Sequence, residues 1–207
     1  MPGSNIPMAA LGAWILWLGW FGFNGGSELV VSSEASAIAV SQVFLNTNMA
    51  AAGGVVGALL LGLVRTGKLD VTMAINGAIA GLVAITAGPS VPSAGEATLI
   101  GLVGGLIVYC SILYLEQRFK IDDPVGAISA HGVVGIFGVM VVPFTNADAS
   151  FLIQFYGVLA ISIFTFVTSY GSIYLINKFL PIRASDEEQF LGLDITEIGV
   201  EAYPEFK

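Results

Sequence analysis

The chain has 207 residues, of which 56% are hydrophobic and 11% charged, and its mean hydropathy is +0.86. A soluble domain carries about 25% charged residues, so a soluble fold is excluded and an all-α, polytopic membrane bundle is expected. The formal net charge of −8 does not describe the whole surface: seven of the fifteen carboxylates (Asp186, Glu187, Glu188, Asp194, Glu197, Glu201 and Glu205) fall after Arg183, and no basic patch suits nucleic acid.

The first residues, Met-Pro-Gly-Ser-Asn, carry no Lys or Arg, so no cleavable signal is expected and the first apolar run stays in the protein. Six apolar stretches can be read, at residues 6–23, 35–64, 71–87, 97–115, 126–143 and 152–179, each near the length needed to span. The second and last exceed that length, so they tilt or extend past the bilayer. Polar breaks with turn residues separate them at 25–27, 65–70, 88–95, 116–123 and 145–148. No internal repeat with a period of about 20–50 residues is visible. Cys110, the single cysteine, lies in an apolar run, which excludes an intrachain disulfide and suits a small lipid- or helix-facing residue.

Span two carries Gln42, Asn46, Thr47 and Asn48, and span three carries Asn76. Such groups need partners inside a bundle, and interhelical hydrogen bonding is expected of them before substrate contact. Orientation comes from the basic residues. Arg65 and Lys68 lie between spans two and three, Arg118 and Lys120 between four and five, and Lys178, Arg183 and Lys207 after span six; the other three loops have none. The positive-inside rule then makes those segments and both termini cytoplasmic, in a plasma or inner membrane. A membrane domain over 1–183 and a cytoplasmic tail over 184–207 are expected. The tail mixes charges with a few large apolar residues, which suits docking onto its own cytoplasmic face or a partner, or a disordered acidic tail.

Residues 121–138 hold the only histidine, His131. Asp122 or Asp123 can cap the free amides of a helix start, with Pro124 at the first helical position. His131 then lies eight residues on, about 12 Å along the axis at ~1.5 Å per residue. If Asp123 marks the surface, the imidazole sits near the middle of a hydrocarbon core ~30 Å thick. Ala127, Gly135 and Gly138 share its face in α-helical register, so that face is stripped of bulk and can admit another helix or a pathway. An ionisable group inside a membrane is expensive and marks a pathway or relay.

A second constellation, residues 16–27, lies where span one reaches the outer face. Trp20, Phe23 and Ser27 fall on one helical face at i, i+3 and i+7. Aromatics at an interface form an anchoring belt; rings beside a hydroxyl acceptor also offer a small cation quadrupole attraction and a replacement for water.

Taken together, Gly19-Trp-Phe-Gly-Phe-Asn-Gly-Gly-Ser27, Asn46-Thr47, Asn76-Gly-Ala-Ile-Ala-Gly-Leu-Val83, Asp122-Asp-Pro, Ala130-His-Gly-Val-Val-Gly135 and the segment from Gly192 to Tyr203 resemble the second half of an ammonium transporter of the Amt/Rh family. The resemblance implies that Phe23 is the second of two stacked phenylalanines gating the pore from outside. It makes Ser27 the hydroxyl of the outer ammonium-recruitment site and His131 the second of two pore histidines. Asp122 and Asp123 match the acidic pair opening the His-bearing helix, a structural role. A homotrimer in the full-length form, a cytoplasmic tail meeting a PII-type signalling protein, and no cofactor or metal are implied as well.

The family is built from two inverted halves with the pore between them, and nothing here matches the first. The missing N-terminal half is expected to come from another polypeptide of a split gene, or the chain is a truncated, non-conducting fragment or a regulatory or assembly subunit. An intramembrane hydrolase with a Ser/His dyad is the rival from another class; no Gly-x-Ser-Gly motif sits in a span. For a transporter the residues act together. A bare cation in an apolar lumen is costly, and a buried imidazole favours its neutral form, so it can accept or relay a proton while ammonia moves beside it.

Overall fold

In the computed structural model, which describes residues 5–180 and 182–205, the chain is helical throughout, with no strand among the described residues. Five helices have the length and apolarity to cross a membrane: α1 (Ile6–Gly26), α2 (Glu34–Thr66), α4 (Ala94–Tyr114, continued by a π turn, Leu115–Phe119), the His-bearing segment (π turn Ile128–Val133, then α5, Val134–Thr145) and α6 (Phe151–Phe179). The third expected span is the shorter α3, Val71–Thr86, with 16 residues. It is enclosed by neighbours, with an unbroken buried run from Gly77 to Leu82.

Side chains cap the helix starts. Asn5 accepts from the Met8 amide at 2.9 Å, and Ser33 with Ser36, Ser93 with Glu96, and Ser185 with Glu188 form reciprocal capping boxes. Asp70 caps α3, accepting from the Thr72 hydroxyl at 2.7 Å and the Thr72 amide at 2.8 Å. The Thr72 hydroxyl is the main cause of a carboxyl held below its ordinary value, with partial burial opposing it.

The chain divides into two compact units, Met1–Val158 and Leu159–Lys207. In the first unit, α2, α3 and α4 pack at backbone distance. A Cβ on Gly101 or Gly81 would run into the carbonyl of Ala50, and one on Gly105 into that of Gly54. Small residues permit this approach where lipid offers no hydrophobic drive between helices. Gly54 is caught from both sides, since its own Cβ would strike the Gly77 carbonyl, a backbone atom with no rotamer to yield. Gly54→Ala is therefore expected to cost about 1–3 kcal/mol, as overpacking does. Gly12→Ala, with open space at its Cβ, is expected to be neutral in the same thermal unfolding measurement in detergent. Equal midpoints for the two variants would contradict this packing.

In the second unit the tail takes up local structure. Helix α7 (Asp186–Leu191) precedes a π turn, Asp194–Ile198, and the Asp194 carboxylate accepts from the Ala202 amide at 2.8 Å. That amide is the largest cause of a lowered carboxyl pKa at Asp194, and the Ser185 amide plays the same part for Glu188.

Candidate functional site

The end of α1 carries the aromatics, and the His-bearing segment faces them. Trp20 and His131 stack with ring centroids 6.3 Å apart and planes 11° from parallel. Phe23 tilts against Trp20 at 5.9 Å. The Trp20 indole N–H donates to the Thr86 hydroxyl at 2.8 Å, and that hydroxyl donates to the Leu82 carbonyl at 2.7 Å. One end of the indole is thus tied to α3 while its face lies on the imidazole. Together with Gly135 and Val139 these residues line an apolar groove of about 850 Å³.

The groove has walls from α1, α3 and the His segment only, and both His131 and Phe23 stay exposed on it. The expectation of a buried imidazole is corrected accordingly. Among the described residues, no other element lines the groove. The face shared with His131 also differs from the α-helical register. Gly135 lines the groove but Gly138 does not; its Cβ would meet the Ala84 carbonyl of α3 at 2.8 Å, so it is a helix-packing glycine, and Val139 takes the lining position. His131 lies inside the wider π turn, which rotates the residues after it relative to 3.6-residue spacing.

The start of that segment is corrected too. Pro124 is not its first helical residue: Pro124 and Val125 form a turn, Gly126 has φ +69°, and the π turn opens at Ile128. Asp123, not Asp122, supplies the cap, its two carboxylate oxygens accepting from the amides of Ile128 and Ser129 at 3.0 Å each. Asp123 is 4% exposed, while Asp122 is exposed. Gly126 answers a steric demand, because a side chain there would strike the Asn76 amide oxygen.

Ser27 lies apart from the other three. It ends α1, donating its hydroxyl to the Phe23 carbonyl at 2.8 Å, and lines a separate, more polar cavity of about 310 Å³ with Asn24, Glu28, Ser90 and Asn146. Thr86 and Ala87 line both cavities and form the wall between them. Because the Ser27 proton is committed to the helix end, the hydroxyl keeps only acceptor capacity.

Thr86 escaped the sequence reading, as did the Ser111 hydroxyl donating to that of buried Ser129 at 3.0 Å. Each is a hydroxyl within an apolar helix, which is the signal that could have found them. Of the polar residues of span two, Thr47 accepts from Asn24 of α1 at 3.0 Å, Asn46 donates to the carbonyls of Pro89 at 2.8 Å and Pro92 at 2.6 Å in the loop between α3 and α4, and Gln42 donates to Asn46 within α2. Asn76 instead donates to Thr72 within its own helix.

An apolar groove lined by an imidazole, set in a bundle of membrane-length helices, is the architecture of a multi-pass membrane protein. Residues 1–203 match the family model of the Ammonium Transporter Family, and the chain belongs to that family. Ammonium transporter Amt2 of Archaeoglobus fulgidus is 38% identical over 100% of the chain and 47% of its own length. The ammonium transporter of Bacillus subtilis is 36% identical over 96% of the chain and 52% of its own length. Among solved structures, a Sensor Amt Protein superposes with TM-score 0.81 at 36% identity, covering 94% of the chain and 49% of that protein. Candida albicans Mep2 superposes at 0.81 with 28% identity, covering 98% and 49%. The chain thus spans about half the length of the relatives it matches.

Proposed function

We propose that this chain supplies one wall of a transmembrane ammonium/ammonia pathway. The Trp20–His131 stack, open on an apolar groove between membrane-length helices, is the observation that carries the reading. Ammonium arrives in the polar cavity, where the Ser27 hydroxyl accepts one of its protons and Glu28 offers a carboxylate. Its waters are exchanged there for protein groups. Passage beyond Thr86 is apolar, so the cation gives up a proton as it enters the groove that His131 lines. His131 accepts or relays that proton, Trp20 holds the imidazole plane, and Phe23 lies at the groove's rim as the gate. Asp123 fixes the helix start beneath.

The basic loops and both termini are placed in the cytoplasm, the membrane is the cell's plasma or inner membrane, and residues 184–207 form a tail available to a PII-type signalling protein. The assembled form is a homotrimer with the other pore wall supplied to each subunit. Within this transport family, the open groove favours a chain that does not conduct unaided.

The test is a chimera in which residues 1–207 replace the corresponding segment of the Bacillus subtilis relative, expressed in cells lacking ammonium transporters. Methylammonium uptake and growth on low ammonium are expected. A chimera present in the membrane at normal level but without uptake would contradict the reading.

A further inference from the structure

Two residues before His131, Ser129 is held at every one of its polar groups. It is 0% exposed and lies in the π turn Ile128–Val133. Its amide donates to an Asp123 carboxylate oxygen at 3.0 Å, and its carbonyl accepts from the Val134 amide across the turn. Its hydroxyl accepts from the Ser111 hydroxyl of α4 at 3.0 Å. Among the described residues, that last contact is the only side-chain hydrogen bond joining residues 128–145 to a neighbouring helix. Neither serine lines the groove.

A π turn is rare, and its wider winding rotates everything after it about the helix axis. A segment that contains one needs something to fix which face it presents. The rest of its packing here is apolar: Ala130 and Val134 enter the core formed by α2, α3 and α4, and apolar contact is non-directional. A hydroxyl pair is directional, so few rotations of the turn satisfy it. Residues two apart on a helix do not share a face. Pinning Ser129 to α4 therefore sends His131 away from α4 and into the groove, where it stacks on Trp20. Side-chain hydrogen bonds between membrane helices add little to stability, and a buried polar contact can instead specify one arrangement.

We propose that the Ser111–Ser129 hydroxyl pair is the positioning device that turns the His131 imidazole into the groove and onto the face of Trp20. Neither serine touches the transported species; both act through His131. The effect of the pair on transport rests on the pathway reading, whereas its effect on the direction of the ring does not.

The test reads the ring and the transport separately. His131 is the only histidine, so the full chain labelled with carbon-13 at histidine and purified in detergent gives one imidazole by NMR. The ring current of the stacked indole displaces its signal from the position found in Trp20→Leu. Ser111→Thr, which keeps a hydroxyl on α4, is expected to leave the signal in place. Ser111→Val, of nearly the same shape without the hydroxyl, is expected to move it toward the Trp20→Leu position. In the chimera with the Bacillus subtilis relative, Ser111→Val is expected to lower the maximal rate of methylammonium uptake about tenfold, since a misplacement of ~1 Å can cost about 10²-fold. KM should stay unchanged, because the cavity at Ser27 is untouched, and Ser111→Thr should keep the wild-type rate. The double variant S111A/S129A leaves no buried hydroxyl unpaired. It is expected to hold the wild-type thermal midpoint and still show the rate loss, whereas a bond that served stability alone would let both recover. An imidazole signal unmoved in Ser111→Val would overturn the positioning role. So would wild-type uptake in S111A/S129A, or equal uptake in Ser111→Thr and Ser111→Val, in a chimera that His131→Ala inactivates. Uptake insensitive to His131→Ala, with the signal still moved in Ser111→Val, would overturn the pathway reading and support the positioning of the ring.

Discussion

His131→Ala in the chimera with the Bacillus subtilis relative is expected to cut methylammonium uptake by about 10²-fold, the low end of what a positioned proton acceptor contributes. His131→Asn is expected to fail nearly as completely, because an amide keeps hydrogen-bonding groups but cannot take up and release a proton at neutral pH. The pair of variants separates proton handling from packing. The imidazole is exposed on the groove and, among the described residues, stacks with no ring but Trp20, so its removal opens no core cavity. Membrane abundance and thermal midpoint should therefore stay near wild type. Uptake retained by Asn at equal protein level would assign His131 to packing and leave the relay without a carrier.

The second large effect concerns the chain by itself. Residues 1–207 expressed alone are expected to insert but to give no ammonium-dependent growth in cells without their own transporters. Among the described residues the groove is lined by α1, α3 and the His segment alone, so lipid tails would occupy the path and no hydrated route would cross. A pair of inverted copies is disfavoured by charge, since every Lys and Arg lies at residues 65–68, 118–120 or 178–207, on one side of the membrane under the positive-inside rule. Growth rescue by the chain alone would require an assembly of copies that closes the groove.

The helices were legible because each announces itself locally. Apolar runs of spanning length are bounded by turn residues, whereas the capping boxes at Ser93 and Ser185 came to light only in the structure. Trp20, Phe23 and His131 were legible as candidates because rings and an imidazole in apolar helices are costly or rare, and the structure brings all three to one groove. The features that the sequence concealed depend on geometry without local periodicity. Asp-Pro at 123–124 has the pattern of a cap and first helical residue, yet the carboxylate reaches across a turn to Ile128 and Ser129. The π turn around His131 shifts the lining from Gly138 to Val139, which a 3.6-residue count cannot anticipate. Thr86 matters through Trp20, 66 residues away, and long-range pairs of that kind leave no trace in spacing. Ser27 belongs to the helix face of Trp20 by count but lies beyond the last full turn of α1, in the neighbouring cavity.

The claim that the groove is the pathway has a direct test at Gly135. A Cβ there meets only Val83, at 3.7 Å, so Gly135→Cys is sterically tolerated and presents a thiol to the groove. In a chimera otherwise free of cysteine, with Cys110→Ser, uptake should start near wild type. A small thiol reagent should then block it irreversibly, and ammonium should slow the modification. Complete modification of Cys at this position with uptake unchanged would show that ammonium does not pass along the face that His131 and Trp20 share.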